Sequence, residues 1–309
     1  MKVAIYGTGA VGAYFGGRLA ESGMDVSFIA RGAHLSAIVK YGLKVDSING
    51  DFLIHPAKAT AEPADIGIVD LVIVSVKGWQ VAQAAAAMKP LIGEHTVVLP
   101  LLNGVDAVSI LSTQLGAKKV LNGLCGIFAK LTAPGHISHI GAQPWLKFGE
   151  QGNVITARAE QLLSILQSCQ GFKATLENNI TAAVWQKFIF IASTSGVGCV
   201  TRANFGEVRA SVQTEQFLKA VISEITQVAL ALKVALPENV ETLVWQQILN
   251  SSSNSDTSMQ RDLLAGRPSE LDSQTGAVIR LGQQVGISTP LNEMIYAALA
   301  PQEIKARAH

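Results

Sequence analysis

The sequence predicts an α/β Rossmann-type domain over residues 1–178, followed by an all-helical (all-α) domain over residues 179–309. In the first half, short apolar runs alternate with helical patterns, which is typical of βαβ units around a parallel sheet. After Asn178-Asn179 the strand patterns stop and only helical periodicity remains. The length of 309 residues agrees with two domains at roughly 100–200 residues each.

The strands of the first half are short runs rich in β-branched residues, predicted at Val3–Tyr6, Val26–Ala30, Leu71–Val76 and Thr96–Pro100. Helices are predicted between them at Ala10–Ser22, His34–Lys40, Gln80–Leu91 and Val105–Leu115. Leu71–Val76 is apolar on both faces, as a strand covered by helices on both sides should be. From Val120 to Glu177 the pattern changes to shorter strands, which could extend the sheet in mixed fashion, and one helix: Leu124–Leu131, His136–Ile140, Trp145–Gly149, Ala157–Cys169 (helix) and Phe172–Leu176.

The second half contains five predicted helices, at Thr181–Ser193, Val212–Lys233, Val240–Leu249, Glu270–Val285 and Leu291–Leu299. Asn250–Thr257 is too polar to be buried and is predicted to be a loop. The tail Gln302–His309 is expected to be frayed, as chain ends commonly are.

The composition excludes several classes of function. Lys and Arg number 24 and Asp and Glu 23, so the net charge of +1 provides no basic surface for nucleic acid or an acidic membrane. Cys125, Cys169 and Cys199 are widely spaced, which predicts neither a disulfide framework nor a Cys-x-x-Cys metal site. His136 and His139 point to opposite faces of a predicted strand, and we expect no metal centre.

Targeting and membrane segments are also not predicted. The start of the chain passes directly into an apolar strand and lacks the pattern of a signal peptide. No run reaches the ~18 uncharged apolar residues of a membrane span. We therefore expect a cytoplasmic protein.

The glycine loop Gly7-Thr8-Gly9-Ala10-Val11-Gly12 follows the first strand and begins the first helix. Gly7 allows a tight turn, Gly9 lets the backbone approach a pyrophosphate, and Gly12 permits close packing of helix on strand. The N–H groups at the start of the helix would then face the phosphates. The loop predicts dinucleotide binding, and the alternative is a glycine-rich turn that serves packing alone.

Three further residues lie at the carboxyl ends of predicted strands, where such sheets bind ligands. After the second strand the sequence has Arg31 in place of the acid expected for NAD, so we predict NADP, with Arg31 pairing with the 2′-phosphate. Lys77 could contact cofactor phosphate or substrate carboxylate, and Asn103 could hydrogen bond a ligand carbonyl. The alternatives are a solvated Arg, an exposed Lys and an Asn turn residue before Gly104.

Lys187 lies on an apolar helical face with Ala183, Val184, Phe190 and Ile191. A buried lysine needs a partner or a lowered pKa, and a lowered pKa suits a proton donor. The alternative is a lysine whose ammonium group extends to water.

Glu270 is the candidate partner of that lysine. Its position equally fits a helix start, with Ser269 and Asp272 as a capping box. Ser258 could bind a carboxylate, although most loop serines have no such role.

The order and spacing of these motifs resemble the ketopantoate reductase (2-dehydropantoate 2-reductase) family over nearly the whole chain. The similarity is carried by Gly7–Gly12, Arg31, Ser75-Val76-Lys77, Leu102-Asn103-Gly104, Trp185-x-Lys187, Ser258-Met259-x-x-Asp262, Ser269-Glu270-Leu271-Asp272 and Gly282–Asn292.

The resemblance implies NADPH-dependent reduction of 2-dehydropantoate to pantoate, on the route to pantothenate. It implies that Lys187 protonates the carbonyl oxygen and that Glu270 holds the substrate hydroxyl and helps to place Lys187 beside the cofactor. It also implies that Ser258 holds the substrate carboxylate, that Asn103 lies near nicotinamide and substrate, and that Arg31 and Lys77 contact cofactor phosphate. Substrate is expected in a cleft between the domains.

The sequence departs from the family pattern after the lysine. The family has asparagines four and eight residues further on, where this chain has Ile191 and Ser195. Ser195 could replace one of them as a substrate contact, whereas Ile191 offers no hydrogen bond. A reductase of another 2-oxo acid and a catalytically silent NADP-binding regulator therefore remain as alternatives. The sequence is compatible with a homodimer and does not determine the oligomeric state.

Overall fold

A computed structural model describes residues 1–308, and the last residue of the predicted frayed tail, 309, lies outside that range. The described chain folds into two compact units. The first unit comprises Met1–Leu102 and Ala107–Ile180, and the second comprises Asn103–Asp106 and the chain from Thr181 onward.

The first unit contains all the strands of the described chain: β1 Lys2–Tyr6, β2 Asp25–Ile29, β3 Leu43–Ser47, β4 Phe52–Ile54, β5 Lys58–Thr60, β6 Val69–Val74, β7 Ile92–Pro100, β8 Asn122–Gly126, β9 Ala129–Ala133, β10 His136–His139, β11 Trp145–Gly149 and β12 Lys173–Leu176. Its helices are α1 Ala10–Glu21, α2 Gly32–Tyr41, α3 Val81–Ala87, α4 Ala107–Leu115 and α5 Ala157–Gln167. Short 3-10 turns connect some of these elements, at Pro63–Asp65, Gly78–Gln80, Lys89–Leu91 and Ala117–Lys119.

The main sheet has the order β5-β2-β1-β6-β7, and all its strand pairs are parallel. The predicted Rossmann-type arrangement is confirmed. The chain proceeds outward from β1 to β5 and then returns to the other side of β1, so the order reverses between β1 and β6. Such a reversal opens a crevice at the carboxyl ends of the strands, where doubly wound proteins bind their ligands.

The strands after residue 120 form two separate mixed sheets and do not extend the main sheet. One has the order β4-β3-β10-β9 and the other β12-β11-β8. The run predicted as one strand, Leu124–Leu131, divides into the end of β8 and the start of β9, which belong to different sheets. Strands β3, β4 and β5 were not predicted, because two of them have only three residues each and show little apolar alternation.

The second unit is entirely helical over its described part: α6 Ile180–Thr201, α7 Phe205–Ala210, α8 Val212–Ala231, α9 Val240–Asn250, α10 Ser258–Leu264, α11 Ala277–Val285 and α12 Pro290–Arg307, with a π-helical segment at Asp272–Gly276. Helix α6 continues past the predicted end at Ser193. The hydroxyl groups of Ser193 and Thr194 donate to the carbonyls of Ile189 and Phe190, at 2.6 and 2.7 Å, so these polar residues fit within the helix. The predicted helical domain is confirmed.

Helix α6 has the length and hydropathy of a membrane span, but 67% of its most apolar window is buried inside the protein. We interpret it as a core helix. It contributes Trp185, Phe188 and Ile189 to an apolar core that also includes Ile225 of α8 and Ile295 of α12.

The expectation of a frayed tail from Gln302 onward is wrong for the described residues, because α12 continues to Arg307. Pro301 lies inside this helix without ending it. Glu303 is only 7% exposed and pairs with Arg307, with a distance of 2.6 Å between Oε1 and Nε. Glu303 accepts a hydrogen bond from the Ser269 N–H, and Arg307 donates one to the Ser269 carbonyl. These bonds hold the end of the helix in place.

At the other end of α12, the buried Glu224 accepts hydrogen bonds from the backbone N–H groups of Leu291 and Asn292 and from the Asn292 side-chain amide, at 2.7–3.0 Å. A carboxylate in this position satisfies the free N–H groups of the helix N-terminus and interacts favourably with its dipole.

Replacing this carboxylate tests how far the helical unit depends on it. We expect Glu224→Gln to lower the free energy of unfolding by about 2 kcal/mol, because the three hydrogen bonds lose the carboxylate charge and one acceptor oxygen becomes an NH2 group. Gln227→Ala, at an exposed position of the same helix, should change it by less than about 0.5 kcal/mol. Urea unfolding followed by circular dichroism measures both. Equal stability of the two variants would contradict this role of Glu224.

Candidate active site

The glycine loop has the geometry that its sequence predicts. Gly7 has φ +98°, a conformation that side chains disfavour. A Cβ on Gly12 would overlap the Gly7 carbonyl oxygen and the Ser75 hydroxyl. Gly9 lies in open space, since a Cβ there would meet nothing within 4 Å. Gly7 and Gly12 are therefore required by the fold itself, whereas Gly9 is not.

Four hydrogen bonds fix the backbone of this loop. The Ser75 hydroxyl donates to the Gly7 carbonyl at 2.7 Å. The N–H and the hydroxyl of Thr8 both donate to the Ile29 carbonyl, at 3.2 and 2.9 Å. The Thr8 carbonyl lies 2.6 Å from Nε2 of His34. The loop is thus held from β2, from the end of β6 and from α2.

His34 was not identified from the sequence. Its Nδ1 accepts from the Gly135 N–H at 2.9 Å, so its Nε2 carries the proton that is donated to Thr8. Burial lowers the pKa of His34, and the hydrogen bond to the Thr8 carbonyl opposes this shift only in part. The two partners are 26 and 101 residues away in the chain, and no local pattern could have indicated the bridge.

The N-terminus of α1 is open to an anion. Its N-cap is Gly9, which has no side chain to cap the helix, and the first turn contains no acidic residue. The free N–H groups and the helix dipole favour a negative charge at this point. The loop therefore fits the pyrophosphate of a dinucleotide.

Arg31 and Lys77 lie at the carboxyl ends of β2 and β6. Arg31 is exposed and lies at the N-cap of α2. Burial raises the pKa of Tyr6, and the Arg31 charge partly opposes that shift. Lys77 is half-buried, and its ammonium group lies 6.0 Å from the centre of the Trp79 ring. Both cations belong to the unit that carries the glycine loop.

Lys187, Ile191 and Ser195 are successive residues along α6 at spacings of four, so they share one face of the helix. Lys187 and Ile191 are half-buried and Ser195 is buried. The Ser195 hydroxyl has no hydrogen-bond partner among the described residues. The same is true of Thr275 Oγ1 and of both polar atoms of the Gln274 amide.

Glu270 is only 4% exposed and precedes the π-helical segment. The predicted capping box of Ser269 with Asp272 is wrong. The Ser269 hydroxyl donates to Glu303 at 2.6 Å and accepts from the Leu271 N–H at 3.2 Å. The Ser269 N–H, which a capping box would pair with Asp272, donates to Glu303, and Asp272 pairs with Arg280.

The Asn103-Gly104 turn belongs to the helical unit although it follows β7 in the chain. A Cβ on Gly104 would lie 3.2 Å from the carbonyl oxygen of Ser273, so the turn adjoins the segment after Glu270. Arg280 strengthens this contact by bridging Asp106 and Asp272, at 3.1 and 2.9 Å.

Ser258 is the first residue of α10. Thr257 caps this helix by accepting the Gln260 N–H at 3.2 Å, which leaves the half-buried Ser258 outside the cap. The helical unit therefore carries Asn103, Lys187, Ser195, Ser258 and Glu270, and the first unit carries the glycine loop, Arg31 and Lys77. No cluster of three or more His, Cys, Asp or Glu suited to a metal ion occurs within residues 1–308.

Comparison with known proteins gives matches in both units. The family described as "Ketopantoate reductase PanE/ApbA" matches residues 3–153, and its C-terminal counterpart matches residues 179–303. An uncharacterized oxidoreductase of Bacillus subtilis, YkpB, is 29% identical over 98% of this chain and 99% of its own. The 2-dehydropantoate 2-reductase of Mesorhizobium japonicum is 27% identical over 96% of each.

Solved structures show the same fold. A PanE/ApbA family ketopantoate reductase from Ralstonia eutropha has a TM-score of 0.91 and 30% identity, covering 99% of this chain and 100% of its own. A D-mandelate dehydrogenase in complex with NADH has a TM-score of 0.88 and 25% identity, covering 98% of this chain and 99% of its own.

Two alanine substitutions separate the structural glycine from the ligand-facing one. Gly12→Ala should destabilise the first unit by about 1–3 kcal/mol, because the new methyl group overlaps the Gly7 carbonyl and Ser75. Gly9→Ala should leave the thermal midpoint unchanged but weaken dinucleotide binding about tenfold or more, because its methyl group occupies the space through which a pyrophosphate approaches. Thermal unfolding and fluorescence titration with NADPH measure the two effects. NADPH affinity equal to wild type in Gly9→Ala would argue against this position of the ligand.

Proposed function

Because the chain belongs to the ketopantoate reductase family, we propose that it is the reductase that converts 2-dehydropantoate to pantoate with NADPH. The observation that carries the proposal is the composition of the helical unit. Lys187, the buried Glu270, the adjoining Asn103-Gly104 turn and Ser258 all belong to it. A proton donor, a carboxylate and two neutral hydrogen-bonding groups are what a 2-keto acid needs for orientation and reduction.

NADPH, when bound, supplies the hydride for the 2-keto carbon. The glycine loop holds its pyrophosphate through the open N-terminus of α1. Arg31 selects the phosphorylated cofactor, since a guanidinium pairs with phosphate through two parallel hydrogen bonds. Lys77 adds a second cation after β6, the strand on the other side of β1. These assignments are supported by the absence of any acidic side chain in the first turn of α1 or of α2.

The protein's part in the chemical step is to provide charge and a proton. As the carbonyl oxygen becomes negative, the Lys187 ammonium stabilises it and then donates a proton to it. Glu270 accepts the hydrogen bond of the substrate hydroxyl and orients Lys187. Ser258 donates to the substrate carboxylate, and Asn103 positions the keto group.

Buried polar atoms without partners support a hydroxylated substrate. The Ser195 hydroxyl, the Thr275 hydroxyl and the Gln274 amide lack hydrogen bonds among the described residues. Ser195 and Thr275 lie on adjacent elements, because a Cβ on Gly196 would lie 3.8 Å from Thr275 Oγ1. Leaving such groups unpaired costs about 1–3 kcal/mol each, so a neutral hydroxyl from the substrate would be favoured there.

One observation favours a second function, the reduction of a different 2-oxo acid. Ile191 places an apolar side chain one turn from Lys187, where it would suit a substrate with a larger apolar group. A D-mandelate dehydrogenase occurs among the related structures, which supports this candidate.

The assignment of Lys187 is tested by its removal. We expect Lys187→Ala to bind NADPH as wild type does and to lose about 10²- to 10⁴-fold in kcat, the usual contribution of a general acid. Lys219→Ala, at an exposed position of α8, should retain full activity. Absorbance at the NADPH band follows turnover. Activity equal to wild type in Lys187→Ala would refute the assignment.

The substrate is tested with three 2-keto acids: 2-dehydropantoate, 3,3-dimethyl-2-oxobutanoate and phenylglyoxylate. 3,3-Dimethyl-2-oxobutanoate is 2-dehydropantoate without its hydroxyl, and we expect its kcat/KM to be at least about 100-fold lower, because the buried polar groups stay unpaired. Phenylglyoxylate tests the apolar alternative. A preference for phenylglyoxylate would support the second candidate function, the reduction of a different 2-oxo acid. NADPH binding without oxidation by any 2-keto acid would support a silent regulator.

The cofactor assignment is tested at Arg31. We expect Arg31→Ala to raise the KM for NADPH about 10- to 100-fold with little change for NADH, which is the effect of losing charge-assisted hydrogen bonds to a phosphate. Lys40→Ala, at the far end of α2, should leave both values unchanged. An unaltered preference for NADPH would remove Arg31 from this role.

A further inference from the structure

The last two turns of α12 hold the residue that precedes Glu270. Both carboxylate oxygens of Glu303 accept from the Ser269 N–H, at 3.1 and 3.0 Å, and Oε2 also accepts from the Ser269 hydroxyl at 2.6 Å. The Arg307 guanidinium donates to the Ser269 carbonyl at 3.1 Å. All three polar groups of Ser269 are thus bound by side chains that lie 34 and 38 residues further along the chain.

The two side chains also neutralise one another. Arg307 Nε lies 2.6 Å from Glu303 Oε1, and the Glu303 side chain is only 9% exposed. A buried carboxylate would destabilise the fold without such a partner. Because the pair carries no net charge, it can bind Ser269 without placing an additional charge beside Glu270.

The backbone on the other side of Glu270 is fixed as well. The Leu271 N–H donates to the Ser269 hydroxyl, and the Leu271 side chain is buried in the apolar core. The Glu270 carbonyl accepts from the Gln274 N–H at 2.9 Å, and the Gly276 N–H donates to the Leu271 carbonyl in a π-helical turn. Glu270 therefore has a fixed main chain, and the residue is only 4% exposed.

We propose that Glu303 and Arg307 are positioning residues that hold Glu270 in its reactive orientation through Ser269, an inference that rests on the proposed function. Neither residue needs to contact substrate or cofactor. A catalytic group contributes fully only when its geometry is fixed, and a displacement of about 1 Å can cost on the order of 10²-fold in rate. The ion pair supplies that fixation from a helix that packs in the core through Ile295 and Leu299.

The proposal is tested with Glu303→Gln, which keeps the shape of the side chain but removes its charge. We expect kcat to fall about 10- to 100-fold while the Kd for NADPH stays within about twofold of wild type. Hydrogen–deuterium exchange of the backbone at residues 268–272 should become faster. Lys305→Gln removes a charge from an exposed position two residues further on, and it should change neither quantity.

A double-mutant cycle distinguishes positioning from a general loss of structure. If Glu303 acts through Glu270, then Glu303→Gln should cause little further loss of kcat in a Glu270→Gln background. Losses that multiply would overturn the proposal, and so would faster exchange with an unchanged kcat. If the wild-type chain reduces no 2-keto acid, the proposed function fails and the positioning role fails with it. Turnover by wild type with full kcat in Glu303→Gln overturns the positioning role alone.

Arg307→Lys provides a second variant in case Glu303→Gln does not fold. Lysine retains the positive charge but lacks the planar fork that reaches both Glu303 and the Ser269 carbonyl. We expect a smaller decrease in kcat, of about three- to tenfold, with unchanged NADPH affinity. A kcat equal to wild type in this variant would overturn the proposal.

Discussion

The close contact between helix α1 and the ends of β1 and β6 depends on Gly12, which has no side chain at the point where the helix passes the Gly7 carbonyl and Ser75. This contact directs the open N-terminus of α1 toward the reversal of strand order between β1 and β6. Any larger residue would move the helix outward and remove the ready-made anion site. The hydrogen bonds from Ser75 and His34 then keep the loop in the one conformation that this contact permits.

The helical unit fixes its candidate catalytic group by a different physical device. The glycine loop is held by neutral hydrogen bonds and by the lack of side chains, whereas the segment before Glu270 is held by an ion pair from α12 whose carboxylate is buried. The difference follows from what each segment presents to a ligand. The loop presents backbone N–H groups, so its backbone has to be accessible. The Glu270 segment presents a side chain, so its backbone can be buried and hydrogen bonded by residues of α12.

The sequence was sufficient for features that depend on neighbouring residues. The glycine loop has a local motif, and four of the five parallel strands and most of the helices have local periodicity, so these features lie near their predicted positions; β5, α7 and α10 were not predicted. The remaining features depend on distant partners. Gly135 meets His34 and Glu303 meets Ser269 only in the folded chain, so neither pair has a sequence signature. The capping-box interpretation of Ser269 failed for the same reason, since a local pattern could not reveal that Ser269 donates to Glu303 of α12. The prediction of a frayed tail was wrong because the sequence gives no sign that Glu303 and Arg307 bind Ser269 and so anchor the end of α12.

The two halves of the candidate site differ in how easily they can change during evolution. Cofactor binding at the loop rests on backbone groups and on glycines that no other residue can replace without moving α1. In the proposed function, substrate binding depends on side chains along one face of α6 and on the segment after Glu270, where a side chain such as Ile191 leaves the backbone intact. On this proposal, a change of substrate needs only new side chains and no change in the backbone of α6 or of the glycine loop. In the proposed function, Ile191, Ser195 and their surroundings would select the 2-keto acid, while the glycine loop would bind the dinucleotide.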